Sequence, residues 1–256
     1  MAFIFNKSLS KEVVPKNLKC SLISPVYKSE DKSIVSNCRP VSVLPRFSKI
    51  LEKMMFKRLM SFIDKHKILH QDQFGFRKSH FTEMAIISLT QKITEAIENK
   101  KFTIDIFLDL SKAFDTVDHS ILLDKLEYYG IRGITLKWFK SYLSDRKQIV
   151  KFYEYRSSMK TISCGVPQGS VLGRLLFLLY VNDIHRSSTL LSFILFADDT
   201  NIFNSHSDIN TLITTTNEEL KKVAEWLRAN KLSLDIKKLN SLFSRQETKK
   251  QYTLLK

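Results

Sequence analysis

Residues 102–110 constrain what this chain can fold into more than any other stretch. Phe102, Ile104, Ile106, Leu108 and Leu110 fall on one face of an extended segment, and Asp105, Phe107 and Asp109 fall on the other. A period of two marks a strand with one apolar face that must be buried. The second constraint is Asp198-Asp199, which lies between the apolar runs Phe193–Ala197 and Asn201–Phe203. That pattern predicts a hairpin with two acids at its tip. Carboxylates so placed repel one another and lose solvation unless a cation neutralises them. Two strands of one sheet would bring Asp109 beside Asp198 although 88 residues separate them. An oxygen-rich site of this kind suits Mg²⁺, which takes a few carboxylates plus waters and substrate phosphates. Two such ions roughly 3.5–4 Å apart align an attacking and a leaving oxygen for phosphoryl transfer. The plain alternative is that Asp is a common turn residue and that Asp109 faces water.

Around these acids the pattern is mixed. Residues 20–28 read as extended, with Pro25 fit only for an edge or an irregular strand. Ser48 is placed to cap a helix carrying Leu51, Met54, Met55, Leu59, Phe62 and Ile63. Further helices are expected at about 82–99, 119–129 (stopped by Gly130), 135–143 and 208–230. Gly165, Pro167 and Gly169 punctuate a turn, after which Ser170 can cap an apolar helix to about Val181. A last strand is expected near 232–236. The order does not alternate strand and helix, which predicts an α+β fold. With 6 Gly and 5 Pro in 256 residues and no repeat, the chain reads as continuous.

Several classes are excluded. No uncharged apolar run nears the roughly 18–20 residues of a membrane span, and the densest, Leu175–Val181, is far shorter. Ala2–Phe5 is too brief an apolar block for a secretory signal. Cys20, Cys38 and Cys164 are widely spaced, giving neither a disulfide framework nor a metal-ligand spacing. No HExxH, GxSxG or phosphate-loop motif is present. His119 reads as a helix-start residue. Lys and Arg outnumber Asp and Glu by 41 to 26, a net +15, and residues 1–100 are the more basic part, with 18 basic and 9 acidic side chains. Such a surplus points to a polyanionic partner, nucleic acid ahead of an anionic membrane.

Three stretches occur in order: FLDLSKAFDTVDH (107–119), GVPQGSVLG (165–173) and FADDT (196–200). Together they resemble motifs A, B and C of reverse transcriptases, and more specifically those of non-LTR, LINE-type, jockey-like retrotransposons. The resemblance takes in IFNKSLS (4–10), ISPVYKSED (23–31), NCRPVSVLPRFSKILEK (37–53), QFGFRK (73–78), YYGIRG (128–133) and WFKSYLSDRKQ (138–148). It implies a right-hand polymerase in which an antiparallel palm sheet packs on helices. Fingers are expected at about 1–101 and 125–160, and palm at about 102–124 and 161–256.

The resemblance also assigns roles. Asp109 and Asp198 would be the main ligands of two Mg²⁺ ions, for which Mn²⁺ can substitute, and Asp199 the companion acid. Phe114 matches the aromatic that crowds the sugar 2′ position, although core packing is its other reading. Main-chain N–H groups of Ser111, Lys112, Ala113 and Phe114 would face the triphosphate. Gln168 would lie near incoming nucleotide and template, with Gly165 and Gly169 allowing close backbone approach or serving the turn alone. Lys28 and Arg39 match basic residues that hold the triphosphate, or are solvated charges. Lys238 stands in the place of a lysine that protonates the pyrophosphate leaving group.

The chain departs from the pattern at Arg174, usually Pro, at Cys38, usually Tyr, at Phe81, usually small, and at Leu239 after Lys238, usually Thr. None removes a metal ligand. Only 18 residues follow Lys238, too few for the helical thumb, and endonuclease and Cys/His segments are not expected within the chain. A missing thumb or endonuclease would come from other chains. The implied partners are an RNA template, a DNA primer and dNTPs, with no membrane, in a nuclear or cytoplasmic ribonucleoprotein. The implied activity is RNA-directed DNA polymerisation. A remnant that only binds nucleic acid is the alternative, and a two-metal nuclease is more distant.

Overall fold

The computed structural model describes residues 2–28, 31, 34 and 37–244. Ser29 and Glu30 of the ISPVYKSED stretch lie outside the described residues. In chain order the first elements are α1 (Ala2–Ser10), β1 (Cys20–Tyr27), β2 (Cys38–Val43), α2 (Arg46–Lys65), α3 (Thr82–Glu98), β3 (Phe102–Asp109), α4 (His119–Tyr128) and α5 (Gly133–Leu143). Then come β4 (Arg146–Phe152), β5 (Tyr155–Arg156), β6 (Lys160–Ile162), α6 (Val171–Val181), β7 (Ser192–Phe196), β8 (Asp199–His206), α7 (Ile209–Ala229) and β9 (Asn240–Ser244). They divide into two compact units, Met1–Ile68 with Phe114–Tyr180 and Leu69–Ala113 with Val181–Lys256. Residues 69–101 lie in the unit of the acid-bearing sheet, and 114–124 and 161–180 lie in the other unit.

The first unit has a mixed sheet in the order β2-β1-β4-β5, with β6 also on β4. β1 pairs with β4 only over Cys20–Ile23 and continues against β2 alone. Pro25 therefore lies where β1 has a single neighbour, and its missing N–H breaks no second ladder. Helices supply the core. Leu51, Ile63, Leu122, Leu126, Trp138, Phe139, Tyr142, Phe177 and Tyr180 are all fully buried. Trp138 stacks on Tyr142 with centroids 5.6 Å apart, and its indole N–H donates to Ser8 Oγ at 3.2 Å. α2 begins at Arg46, after Pro45, and Ser48 does not cap it. Ser48 is instead buried one turn in, and its hydroxyl donates to the Leu18 carbonyl. Ser170 does cap α6, accepting the Gly173 N–H at 2.8 Å.

The second unit is built on an antiparallel sheet in the order β7-β8-β3-β9. β3 is central, flanked by β8 and β9, and its Ile104, Ile106 and Leu108 are buried. Ile106 and Leu108 face Leu220, Val223 and Leu227 of α7 across an apolar cavity of about 160 Å³. Asp208 caps α7 through the Thr211 N–H. The strand expected at 232–236 is a correction. That stretch contributes one bridge, Leu234 to Leu110, and the strand of the region is β9, at 240–244. Among the described residues no helix is long and apolar enough to cross a membrane.

Candidate active site

The acids come from β3 and from the β7–β8 hairpin, all within the second unit. β7 ends at Phe196, β8 starts at Asp199, and these two residues pair. Ala197 and Asp198 form the two-residue turn, with Ala197 at φ 58°. Asp199, expected at the tip, is thus the first residue of β8, and Asp198 alone stands in the turn with Ala197. Register pairs Asp199 directly with Asp109. Directly paired residues project to the same face of the sheet, and like charges so placed are unfavourable unless offset. The offset is Lys238, at the end of a 3-10 turn (Ile236–Lys238), whose ammonium donates to Asp109 Oδ2 and stands 3.8 Å from Asp235 Oδ2. The Asp235 N–H donates to the Asp109 carbonyl at 2.9 Å, which ties this turn to the end of β3.

An open groove of about 530 Å³ runs past these groups, lined by Ile86 and Leu89 of α3 and by Phe107, Asp109, Asp199 and Lys238. Four residues before Asp109 on β3, Asp105 is buried and accepts from Asn201 Nδ2 at 2.6 Å. Burial pushes its carboxyl above the ordinary aspartate range, partly opposed by that amide. Among the described residues, no three His, Cys, Asp or Glu side chains gather closely enough to hold a metal by themselves. Asp109, Asp198 and Asp199 would offer oxygen ligands alone, and Asp109 already draws a cationic side chain. Both observations fit a hard divalent cation whose remaining ligands are water and phosphate.

The Ser111 N–H, expected to face a triphosphate, donates instead to the Ser233 carbonyl at 2.8 Å. Lys112 follows with φ 51° and Ala113 is buried.

The remaining expected residues belong to the first unit. Phe114 stacks on Phe177 of α6, with centroids 4.6 Å apart. The turn before α6 is pinned along its length. The Gly165 N–H donates to Val117 O, the Val166 N–H to Phe114 O, and the Ser42 N–H to the Gln168 carbonyl at 2.7 Å. Gly165 has φ +88°, and a Cβ there would lie 2.8 Å from the Asp115 carbonyl oxygen, so both conformation and space require glycine. Gly169 has φ +102°. His119 opens α4, as expected, and its Nε2 also donates to the Gly165 carbonyl at 2.7 Å. Lys28 and Arg39 are exposed. The Lys28 N–H bonds the Asn37 carbonyl and Val26 pairs with Arg39, so register sets Lys28 and Arg39 diagonally on one face.

Two functional-looking groups carried no sequence signal. Glu52 of α2 is buried; its Oε2 accepts the Val171 N–H and its Oε1 the Tyr142 hydroxyl, both at 2.8 Å. Burial raises its carboxyl above the usual range, against the Tyr142 and Val171 hydrogen bonds and the Arg146 charge. Arg146 is buried over the Tyr142 ring, with Nη1 on the Tyr142 carbonyl. Gln73 is the other. It lies inside the quoted QFGFRK stretch, yet only the fold reveals what it touches.

An antiparallel sheet with acids on paired neighbouring strands, backed by a long helix, is the arrangement of right-hand polymerases. The backbone agrees. An apo telomerase structure from Candida tropicalis superposes with a TM-score of 0.61 at 13% identity, covering 94% of this chain and 53% of that one. The family model described as reverse transcriptase (RNA-dependent DNA polymerase) matches residues 27–254, and the chain belongs to the reverse transcriptase family. Among curated relatives, the RNA-directed DNA polymerase from mobile element jockey of Drosophila melanogaster is 33% identical over 236 residues, 88% of this chain and 25% of that protein. The probable RNA-directed DNA polymerase from transposon BS of the same species is 31% identical over 242 residues, 89% of this chain and 26% of that protein. These relatives accord with the non-LTR retrotransposon lineage read from the motifs. The chain spans about a quarter of their length.

Proposed function

We propose that this chain is the fingers and palm core of an RNA-directed DNA polymerase of a non-LTR retrotransposon. It would extend a primer 3′-hydroxyl with dNTPs along an RNA template. The observation that carries the reading is the cross-strand pairing of Asp109 with Asp199, beside the Asp198 turn and under the Lys238 ammonium. In the reaction, the primer 3′-hydroxyl gives its proton to solvent and its oxygen bonds to the α-phosphorus of the dNTP as the bond to the pyrophosphate oxygen breaks. Two Mg²⁺ ions, or Mn²⁺ in their place, held by Asp109 and Asp198 with Asp199 beside them, would neutralise charge on both oxygens when bound. Lys238 would give its proton to the departing pyrophosphate.

The other roles are supported one by one. Stacking on Phe177 fixes the Phe114 ring, which suits a steric wall against a 2′-hydroxyl. Lys28 and Arg39, two exposed cations on one face of a hairpin, suit a triphosphate. Lys112 and Ala113 are assigned to the phosphate side, and Gln168 and Gly169 to the base pair being formed. The net charge of +15 suits an RNA and DNA duplex. A nuclear or cytoplasmic ribonucleoprotein is the proposed setting, with thumb and endonuclease functions supplied outside these residues.

The test is primer extension on poly(rA)/oligo(dT) with Mg²⁺ and dTTP, run beside Asp198→Ala. Extension by the parent and none by the variant supports the reading. If neither extends while both bind the duplex, the polymerase reading of this chain fails and nucleic-acid binding alone remains.

A further inference from the structure

Ala197 holds a left-handed backbone conformation, φ 58°, which residues with a Cβ rarely adopt. Such conformations persist only where the surroundings over-determine them. Here the surroundings are the segment 72–75, more than a hundred residues away in sequence. The Leu195 N–H donates to the Asp72 carbonyl and the Phe74 N–H to the Leu195 carbonyl, both at 2.8 Å. Gln73 thereby forms a parallel bridge to Leu195 on β7, the edge strand of the sheet. At the end of that bridge the Gln73 side chain turns into the hairpin. Its Oε1 accepts two backbone N–H groups, from Gly75 at 2.8 Å and from Ala197 at 3.2 Å.

Gln73 is wholly buried, and among the described residues its Nε2 has no hydrogen-bond partner. A buried amide with half its polar capacity unused is unfavourable, so the site keeps it for the acceptor half. Gly75 completes the arrangement. A Cβ there would lie 2.1 Å from the Ala197 nitrogen, with no positive φ involved, so the requirement is close approach alone. Arg77 closes the segment from behind, with Nη1 donating to the carbonyls of His70 and Gln73 at 3.0 Å each.

We infer that Gln73, with Gly75, is the positioning device of the Ala197–Asp198 turn. The carboxamide oxygen and the bare glycine backbone hold the Ala197 peptide in its left-handed conformation and so fix where the Asp198 carboxylate projects. A neutral acceptor suits the place, because a carboxylate there would add a further negative charge on the turn that carries Asp198. The consequence for metal binding rests on the polymerase reading above; the consequence for the turn does not.

Two substitutions separate acceptor from bulk. Gln73→Met keeps length and packing and removes the oxygen, whereas Gln73→Glu keeps an acceptor oxygen at the same atom. On ¹⁵N-alanine-labelled protein, amide exchange at Ala197 should accelerate about tenfold or more in Gln73→Met, the loss of one buried hydrogen bond. Ala224, within α7 of the same unit, should stay within about twofold. Gln73→Glu should restore most of the Ala197 protection. In primer extension, Gln73→Met should raise the half-saturating Mg²⁺ concentration and lower kcat about tenfold while the KM for dTTP moves less than about threefold. Unchanged Ala197 exchange in Gln73→Met overturns the inference. So does equal loss of protection at Ala197 and Ala224, which would make Gln73 a general stability residue. If the parent extends no primer, the polymerase reading falls, and the exchange data alone still decide whether Gln73 holds the turn.

Discussion

The Ala197–Asp198 turn of the second unit and the Gly165–Ser170 turn of the first are built alike in outline. Each carries positive φ, and each has a glycine pressed against backbone, Gly75 on Ala197 and Gly165 on Asp115. Each also meets a buried side-chain acceptor from far away in sequence, Gln73 on Ala197 at a separation of 124 residues and Glu52 on Val171, the residue after the turn, at 119. They differ in charge. The acceptor beside the three acids is a neutral amide. The acceptor at the start of α6 is a carboxylate, where the helix N-terminus favours negative charge and Arg146 contributes an opposing one. The same task, holding a peptide N–H in a fixed place, is thus solved with the charge each neighbourhood tolerates.

The largest expected effect tests the glycine half of that parallel. Gly75→Ala and Gly165→Ala should each destabilise their own unit by about 3 kcal/mol or more, the range of overpacked or strained sites. Ala197→Gly removes only the methyl, 2.9 Å from the new Cβ, and leaves the Ala197 nitrogen at 2.1 Å. The double variant Gly75→Ala/Ala197→Gly should therefore regain only the roughly 1 kcal/mol of left-handed strain that Ala197→Gly relieves, and stay well below the parent in urea unfolding. Recovery of half or more of the lost stability would show that the backbones can separate and that the close approach is not required.

How much of this was legible beforehand depends on what each signal was made of. β3, the hairpin and α6 with its Ser170 cap are local patterns in consecutive residues, and the structure carries them where expected except that Asp199 begins β8 rather than sharing the tip. The last strand is not such a pattern. Leu232 and Leu234 alternate well enough, but Leu232 closes the end of α7 through its bond to the Leu227 carbonyl, and pairing resumes only at Asn240. Ser48 misled because a good capping residue was needed as a buried donor to Leu18, while Pro45 already set the start of α2. Gln73 and Glu52 were invisible for a deeper reason. Each holds a main-chain N–H more than a hundred residues away, and a backbone donor leaves no mark on residue type. The one available hint was Gly75, a glycine between two phenylalanines in a chain with 6 glycines.

A middle-sized effect tests the acceptor half. Glu52→Leu leaves the Tyr142 hydroxyl and the Val171 N–H without their bond and removes a negative charge that interacts favourably with Arg146. Each stranded buried group costs about 1–3 kcal/mol, so the first unit should lose about 3 kcal/mol in urea unfolding. Glu52→Gln keeps one acceptor oxygen and should lose about half as much. A Glu52→Leu protein as stable as the parent would mean that the apolar surroundings can close over both donors. The carboxylate would then be dispensable to the turn, unlike the Gln73 amide.

The smallest effect is one of pH, and here the two units should move in opposite directions. His70, at the head of the segment bearing Gln73, stacks on His185 at 4.0 Å, and its Nδ1 accepts the Asp72 N–H. Burial first, then the neighbouring His185, lowers its pKa below the usual histidine value; Lys92 and Arg77 act in the same sense, and Asp72 against it. A folded-state pKa below the unfolded one means that the unfolded chain binds the proton more readily. Stability from His70 is therefore fully present above about pH 6.5 and is lost as pH falls through the lower folded value. Glu52 is shifted the other way, so in the acid range the folded first unit takes up its proton before the unfolded chain does and gains stability relative to neutral pH. Amide exchange corrected for intrinsic pH dependence should then show Phe74 and Leu195 losing protection between pH 7 and pH 5.5, and His70→Gln should abolish that trend. Equal losses at Leu122 and Leu126 in the first unit would mean that acid loosens the whole chain and that His70 is not the group responsible.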